Sequence, residues 1–456
     1  MLARSSVILV SLVVGSAAGS APSGGAIAGA ARGGNAPDVR ELLAAARGVA
    51  PSMCLLAADG ISAIGRWGGG MWDAPATAIG PEVRSRVREV MRARLTSDDE
   101  RNLLEGLGAD DACVRHVAAT LIGRSENKAF VQRLASRLGS ASATERQAAA
   151  VALGLLHVQD AVDPLLQAVR DPSADVRANA AWALGRIGDK RAARTVATIL
   201  RDEHPEVRGA AVVALGRLEA RDNVEELLRV LREDTSPEVR RVAAWALGQL
   251  QARAAIQGLS TALQRDRSDD VREMSAWALA NIHARESVDG LVTALKSDES
   301  SDVRETAAWA LGELNARNAA NALADALARD EESEVRATAA WALGQIHGDH
   351  APQALIAALR DRDDDVRLKA AWALSQIGDA DAVPAVTDAL KQEQRERVRQ
   401  ALVRALLESG ERSESALSSL LESKDDRTRE LAVRALAGRR GPWPWPWPWP
   451  RPRPAP

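Results

Sequence analysis

One ten-residue phrase constrains this chain more than any other feature: Val303-Arg304-Glu305-Thr306-Ala307-Ala308-Trp309-Ala310-Leu311-Gly312. Near-copies begin at Val176, Val207, Val239, Val271, Val335, Val366 and Val398, with successive starts 31 or 32 residues apart. Weaker copies at Val83-Arg84, Val114-Arg115, Glu145-Arg146 and Thr428-Arg429 extend the series, giving eleven units, or twelve with the earliest. A fixed period of this size is the mark of a solenoid, in which each unit contacts only its neighbours.

Within the unit that starts at Val303, the recurrent apolar positions are Val303, Ala307, Ala310, Leu311 and Leu314. That spacing is one face of an α-helix. Start signals precede it, such as Ser236-Pro237, an N-cap followed by proline in the first turn. Stop signals follow it: Gly188 and Gly378 lie just past the last apolar residue. A second apolar run, such as Leu291 to Leu295 or Ala354 to Leu359, lies between consecutive phrases. Each unit is therefore two short helices, and neither can bury its apolar face alone. With neighbouring helices about 8–10 Å apart, the array predicts a curved rod on the order of 100 Å long.

The Asp-x-x-x-x-Val-Arg-x-x-Ala-Ala-x-Ala-Leu-Gly-x-Ile core, as in Asp171 through Ile187 and Asp330 through Ile346, resembles the short HEAT-like repeats of phycobilisome lyases. The resemblance runs over residues 97–438. It implies a right-handed all-α solenoid of about eleven two-helix HEAT-like repeats. It does not select a function, because such repeats serve lyases, adaptors and enzymes alike.

Tryptophan is where the repeat says most. Trp182, Trp245, Trp277, Trp309, Trp341 and Trp372 each stand six residues after the repeat valine, and Val213 fills that slot in the one unit that interrupts them. At about 100° per residue the slot lies roughly 140° from the centre of the apolar stripe, away from the paired helix. In the HEAT-like family this helix lines the concave surface, so the resemblance implies a groove floored by indoles. The alternative is that each ring lies flat on its neighbouring unit and tightens the stack. A second invariant is arginine one residue after the valine, from Arg177 to Arg367, with Asp171, Asp202, Asp234, Asp266, Asp298, Asp330 and Asp361 five residues before it. Opposite charges at fixed spacing predict a self-neutralising ladder along the stack.

The ends differ from the array. Residues 1–21 read as a secretory signal peptide: Arg4, an apolar run from Val7 to Val14, then small residues. The mature protein is therefore expected to be exported, periplasmic or extracellular. Residues 22–36 are rich in glycine, alanine and serine and read as a flexible leader. Residues 37–96 are helical but off-register, an N-terminal cap whose loop holds Trp67 and Trp72, a second candidate ligand loop. The two cysteines, Cys54 in the cap and Cys113 in the first clear repeat, are expected to pair in an oxidising compartment, the alternative being two buried thiols. Residues 439–456 read as a disordered tail, with Trp443, Trp445, Trp447 and Trp449 between prolines, followed by Arg451 and Arg453. Alternating proline forbids helix and sheet and favours an extended polyproline segment.

The net charge of −3, with both signs interspersed and no basic stripe, argues against a nucleic-acid partner. No phosphate-binding loop, dinucleotide fingerprint, nucleophile elbow or paired Cys-x-x-Cys is present. His157, His283 and His347 occupy the helix-terminating position that other units give to glycine, and His347 to His350 lacks further ligands in sequence, so no metal is expected. The expectation is a non-catalytic scaffold with no cofactor. It would bind a protein or a proline-rich peptide through the tryptophan row, and self-associate through the tail. The alternative is an envelope protein whose Pro-Trp-Arg tail works at a membrane surface. Carbohydrate stacking on exposed indoles is a third reading, without an evident set of hydrogen-bonding partners.

Overall fold

The computed structural model describes residues 39–48, 95–346, 350–408, 418, 420–422 and 426–436. Among these residues there is helix and no strand. The chain divides into two compact units, residues 1–226 and 227–456. In the first unit lie α1 (Val39–Ala46), α2 (Ser97–Leu107), α3 (Ala112–Arg124), α4 (Phe130–Arg137), α5 (Ala143–Leu156), α6 (Val162–Ala168), α7 (Ala174–Ile187), α8 (Ala193–Ala197) and α9 (Pro205–Arg217). The division falls within α10 (Val224–Glu233). The second unit continues with α11 (Pro237–Gln249), α12 (Ile256–Arg265), α13 (Asp269–Asn281), α14 (Val288–Ser297), α15 (Ser301–Glu313) and α16 (Ala320–Arg329). It ends with α17 (Ser333–Gln345), α18 (Gln353–Ala358), α19 (Asp364–Ile377), α20 (Val383–Gln392), α21 (Glu396–Glu408) and α22 (Asp426–Leu436).

The helix ends follow the expected chemistry. Ser236 caps α11 by accepting the Val239 N–H, with proline in the first turn. Asp111 caps α3 through the N–H groups of Cys113 and Val114. Gly188 and Gly378 close α7 and α19 in the left-handed region. Elsewhere that position is taken without glycine, by His157, Glu219, Gln251, His283 and Asn315, with φ between 49° and 56°.

Within each unit the repeat is a two-layer packing. Each first helix lies on its own second helix, as α14 does on α15 and α16 on α17, and second helices of consecutive repeats lie side by side. The interior is the stripe read from the sequence: Val303, Ala307, Ala310 and Leu311 are fully buried, joined by Leu291 and Leu323 from first helices. Burying a leucine or valine stabilises by about 1.5–3 kcal/mol, so the repeated stripe supplies most of the favourable energy. Each unit is thus an all-α solenoid. At the start of the array α1 buries Val39, Leu43 and Ala46 against α2 and α3. The rest of the expected cap, including Cys54, Trp67 and Trp72, lies outside the described residues, as do the expected leader sequences and the Pro-Trp tail.

A charged ladder joins the repeats. Arg304 donates through Nε and Nη2 to both carboxylate oxygens of Asp330 in the next repeat, at 2.8 and 2.9 Å. Its Nη1 donates to the carbonyls of Asp298 and Glu299 in its own repeat. Each aspartate also accepts an N–H two residues on, as Asp298 does from Ser300 at 2.9 Å, and so shapes the loop before the second helix. The same pairing joins Arg146 to Asp171 and Arg177 to Asp202 in the first unit. In the second unit it joins Arg240 to Asp266, Arg272 to Asp298, Arg336 to Asp361 and Arg367 to Glu393.

Candidate functional site

The face of the second helices that carries the tryptophan slot is built by a packing rule of the repeat. A glycine nine residues after the repeat valine lets the next second helix approach closely. A Cβ on Gly344 would lie 2.8 Å from the Cα of Ala373 and 2.7 Å from Cζ3 of Trp372. Gly154 meets Trp182, Gly248 meets Trp277 and Gly312 meets Trp341 in the same way, at 2.7–2.9 Å. Where Val213 replaces the indole, Gly185 is still required, because its Cβ would stand 2.7 Å from the Cα of Ala214. Each of these indoles is therefore seated over a glycine of the preceding repeat.

Exposure varies along the row independently of that seating. Trp245 and Trp341 are buried, at 5% and 2% exposed, whereas Trp182, Trp277, Trp309 and Trp372 are half-buried. None of the six stands fully exposed. Arg186 lies over the Trp182 ring, 5.7 Å from its centroid, within cation–π range. The rings thus tighten the stack and, at four positions, also contribute part of their surface to the face.

Around them the face is polar, and in the second unit it is acidic, a feature that reading the repeat for its invariants missed. The residue before the repeat valine is Glu238, Asp270, Asp302, Glu334 and Asp365 in successive second helices. Two residues after it stand Arg241, Glu273 and Glu305. Arg241 pairs with Glu238 at 2.6 Å and Lys369 with Asp365 at 3.1 Å. Burial and the neighbouring carboxylates push Glu305 above the usual carboxyl range, against a hydrogen bond from Thr338 and the charge of Lys369. Burial, then Asp269, does the same at Asp270. Burial raises Glu313. The signal was in the sequence, since the residue before the repeat valine is acidic in every unit from Asp175 to Asp365.

The ladder carboxylates behave oppositely. Burial alone would raise Asp330, but the Arg304 hydrogen bond, the Glu332 N–H and the charges of Arg304 and Arg336 hold it below the usual range. Asp171, Asp202, Asp266, Asp361 and Glu393 are lowered for the same kinds of reason. These groups are tied into structure.

Other sequence candidates separate. Cys113 is buried on α3, and there is no free cysteine among the described residues. His157 and His283 sit in the left-handed caps, and His347 lies outside the described residues. His350 is brought near Asp379 and Asp381, with donor atoms within 4.8 Å of one another. That cluster was invisible in sequence because α18 and α19 separate its members. Asp379 already accepts the N–H groups of Ala351 and Asp381 and serves the two loops. No described helix is long and apolar enough to cross a membrane.

Comparison with known proteins agrees with this architecture. The solved structure of yeast importin-β (Kap95p) superimposes with a TM-score of 0.52 at 14% identity, over 88% of this chain and 64% of that one. A structure of Kap95p binding to RanGDP gives a TM-score of 0.56 at 14% identity, over 88% of this chain and 61% of that one. This chain thus spans under two thirds of the length of either, and at such identity the likeness shows the fold alone. Among curated proteins none matches. The family described as HEAT repeats matches residues 131–202, 193–280, 256–344, 288–367 and 321–407, more than half of the chain. The chain belongs to the HEAT-repeat family.

Proposed function

We propose that this protein is a non-catalytic scaffold that holds an extended protein segment along the tryptophan-bearing face of its second helices. The supporting observation is that Trp182, Trp277, Trp309 and Trp372 are half-buried rather than buried, while those at 182, 277 and 372 have Cζ3 seated over a glycine of the preceding repeat. Aromatic side chains fixed before binding lose little conformational freedom when a partner docks, which is the usual property of an interface anchor. Proline-rich segments suit such a face, since a preformed extended chain also loses little entropy. Kap95p, which binds RanGDP, shows that a fold of this kind can hold a protein. Export by a signal peptide and self-association through the Pro-Trp-Arg tail belong to this proposal; a membrane-surface role of that tail is the alternative to it.

The test is fluorescence anisotropy of a labelled proline-rich peptide titrated with the full chain and with a Trp277→Phe/Trp309→Phe variant. Phenylalanine keeps much of the packing, so the fold survives. We expect binding that weakens about tenfold in the variant, a loss of about 1.4 kcal/mol. No binding, or equal binding by both proteins, overturns the reading.

A further inference from the structure

The slot five residues after the repeat valine marks where the array stops. Register puts it between the ladder arginine and the seat glycine, on the side of each second helix that meets the next repeat. In every second helix from α3 to α21 its side chain is at most 2% exposed, and Ala308, Ala340, Ala371 and Val403 are at 0%. In α22, counted from Thr428, the slot holds Val433, which is 54% exposed. The ladder changes at the same place, where Arg429 pairs with Asp426 of its own helix.

Two more apolar side chains are exposed nearby in the chain. Leu407 of α21 stands in the seat that other repeats give to glycine, such as Gly312 and Gly344, and is 39% exposed. Leu421 follows the buried Leu420, where earlier repeats place Arg201, Arg232, Lys296 and Arg360, and is 37% exposed. Among the described residues these three are the exposed large apolar side chains, and all belong to the last two repeats. Single exposed leucines are ordinary; their confinement to one end is not. A solenoid needs its end covered or polar. At the opposite end α1 covers the first repeat, with Val39, Leu43 and Ala46 buried and a Leu43 methyl carbon 3.2 Å from where a Cβ on Gly106 would stand.

We infer that the Pro-Trp segment, residues 442–450, docks on the end of the array from which it emerges, its indoles covering Val433 and Leu407 and closing the last repeat as α1 closes the first. Four of the chain's twelve tryptophans lie there, and Trp443 is seven residues past Leu436, the end of α22. Seven extended residues reach about 22 Å, and Val433 is one turn back from that helix end. A tether of this length gives an effective concentration on the order of millimolar, far above that of a second copy. A second copy arriving by its first repeat would also present α1 and no open face. In a polyproline helix of three residues per turn, Trp443 and Trp449 share one side, about 19 Å apart. Two helices side by side, each about 10–12 Å across, form an end face of that breadth. This contact is separate from the tryptophan face of the second helices, so the scaffold reading neither requires nor excludes it. It withholds the tail from other copies until it is released.

The experiment is hydrogen exchange of the full chain, read at the amides of α21 and α22. It compares the parent with a tail variant, Trp443→Ser/Trp445→Ser/Trp447→Ser/Trp449→Ser, an end-face variant, Leu407→Ser/Val433→Ser, and the two combined. We expect the tail variant to exchange at least about fivefold faster in α21 and α22, with α13 to α17 within about 1.5-fold. The end-face variant should do the same with the tail intact, and the combination should add less than about twofold, since both remove one contact. Unchanged exchange in the tail variant overturns the inference. So do effects that multiply in the combination, which place the tail elsewhere on the molecule. The parent's protection should be equal at about 1 and about 50 μM protein, as a tethered contact requires. Protection that rises with concentration, together with a doubled mass in light scattering, makes a second copy the occupant and overturns it.

Discussion

At the scale of single residues, two positions that look interchangeable have opposite demands. Gly312 sits inside a helix, where alanine would ordinarily gain about 1 kcal/mol. Its Cβ, however, would stand 2.7 Å from Cζ3 of Trp341 and 3.0 Å from the Cβ of Ala342. Overpacking of a tight contact costs about 1–3 kcal/mol, so the clash wins. Gly312→Ala is expected to lower the melting temperature, and a rise would refute the seating of the indole. The left-handed caps run the other way. Gln251 and His283 have φ of 49° and 56°, strained for residues with a Cβ. Replacing either by glycine should stabilise by about 1 kcal/mol in a urea titration, while Asn315→Gly should give less, since asparagine tolerates that region.

At the scale of elements, the ladder does for the loops what the leucine stripe does for the helices. Asp330 receives two hydrogen bonds from Arg304 and a third from the Glu332 N–H. Asp330→Asn leaves the guanidinium half-served in a poorly solvated place, and hydrogen bonds to charged groups are worth about 1.5–3 kcal/mol. A destabilisation of that order is expected from chemical denaturation. A change below about 0.5 kcal/mol would show the ladder to be an ordinary surface pairing. Sequence spacing gave the partners of this ladder, because both sit at fixed offsets from the repeat valine. It could not give the direction, from each arginine forward to the next repeat, which depends on how the repeats stack.

At the scale of the whole molecule, two carboxylate populations oppose each other with pH. The ladder acids are held below their unfolded values, so their contribution is complete above the unfolded aspartate range near 3.9 and is lost as pH falls through the lower folded values. Asp270, Glu305 and Glu313 are held above theirs, so the folded state binds their protons first and gains stability as pH falls toward the unfolded value. Stability should therefore peak at mildly acidic pH, above about 4, and collapse below it. Asp302→Asn/Glu305→Gln should flatten the rise and leave the collapse. Melting curves across pH 3 to 8 check this, and a maximum at neutral pH would contradict it.

The sequence by itself determined the fold. A 31- or 32-residue period with apolar residues on one helical face and none of it sufficient alone leaves stacking as the only way to bury it. It also located the tryptophan row and the ladder, since a repeat exposes its invariants by repetition. Only the tertiary structure decided what the rows do. The tryptophan slot points away from its own core, which in a single helix reads as exposed. In the stack that direction meets the preceding repeat, whose glycine nine residues after its valine receives the ring. The acidic face was missed for another reason: the acid before each repeat valine, from Asp175 to Asp365, reads as a helix-start residue in one repeat and joins Glu273, Glu305 and Glu313 on a common face only when successive helices are laid side by side.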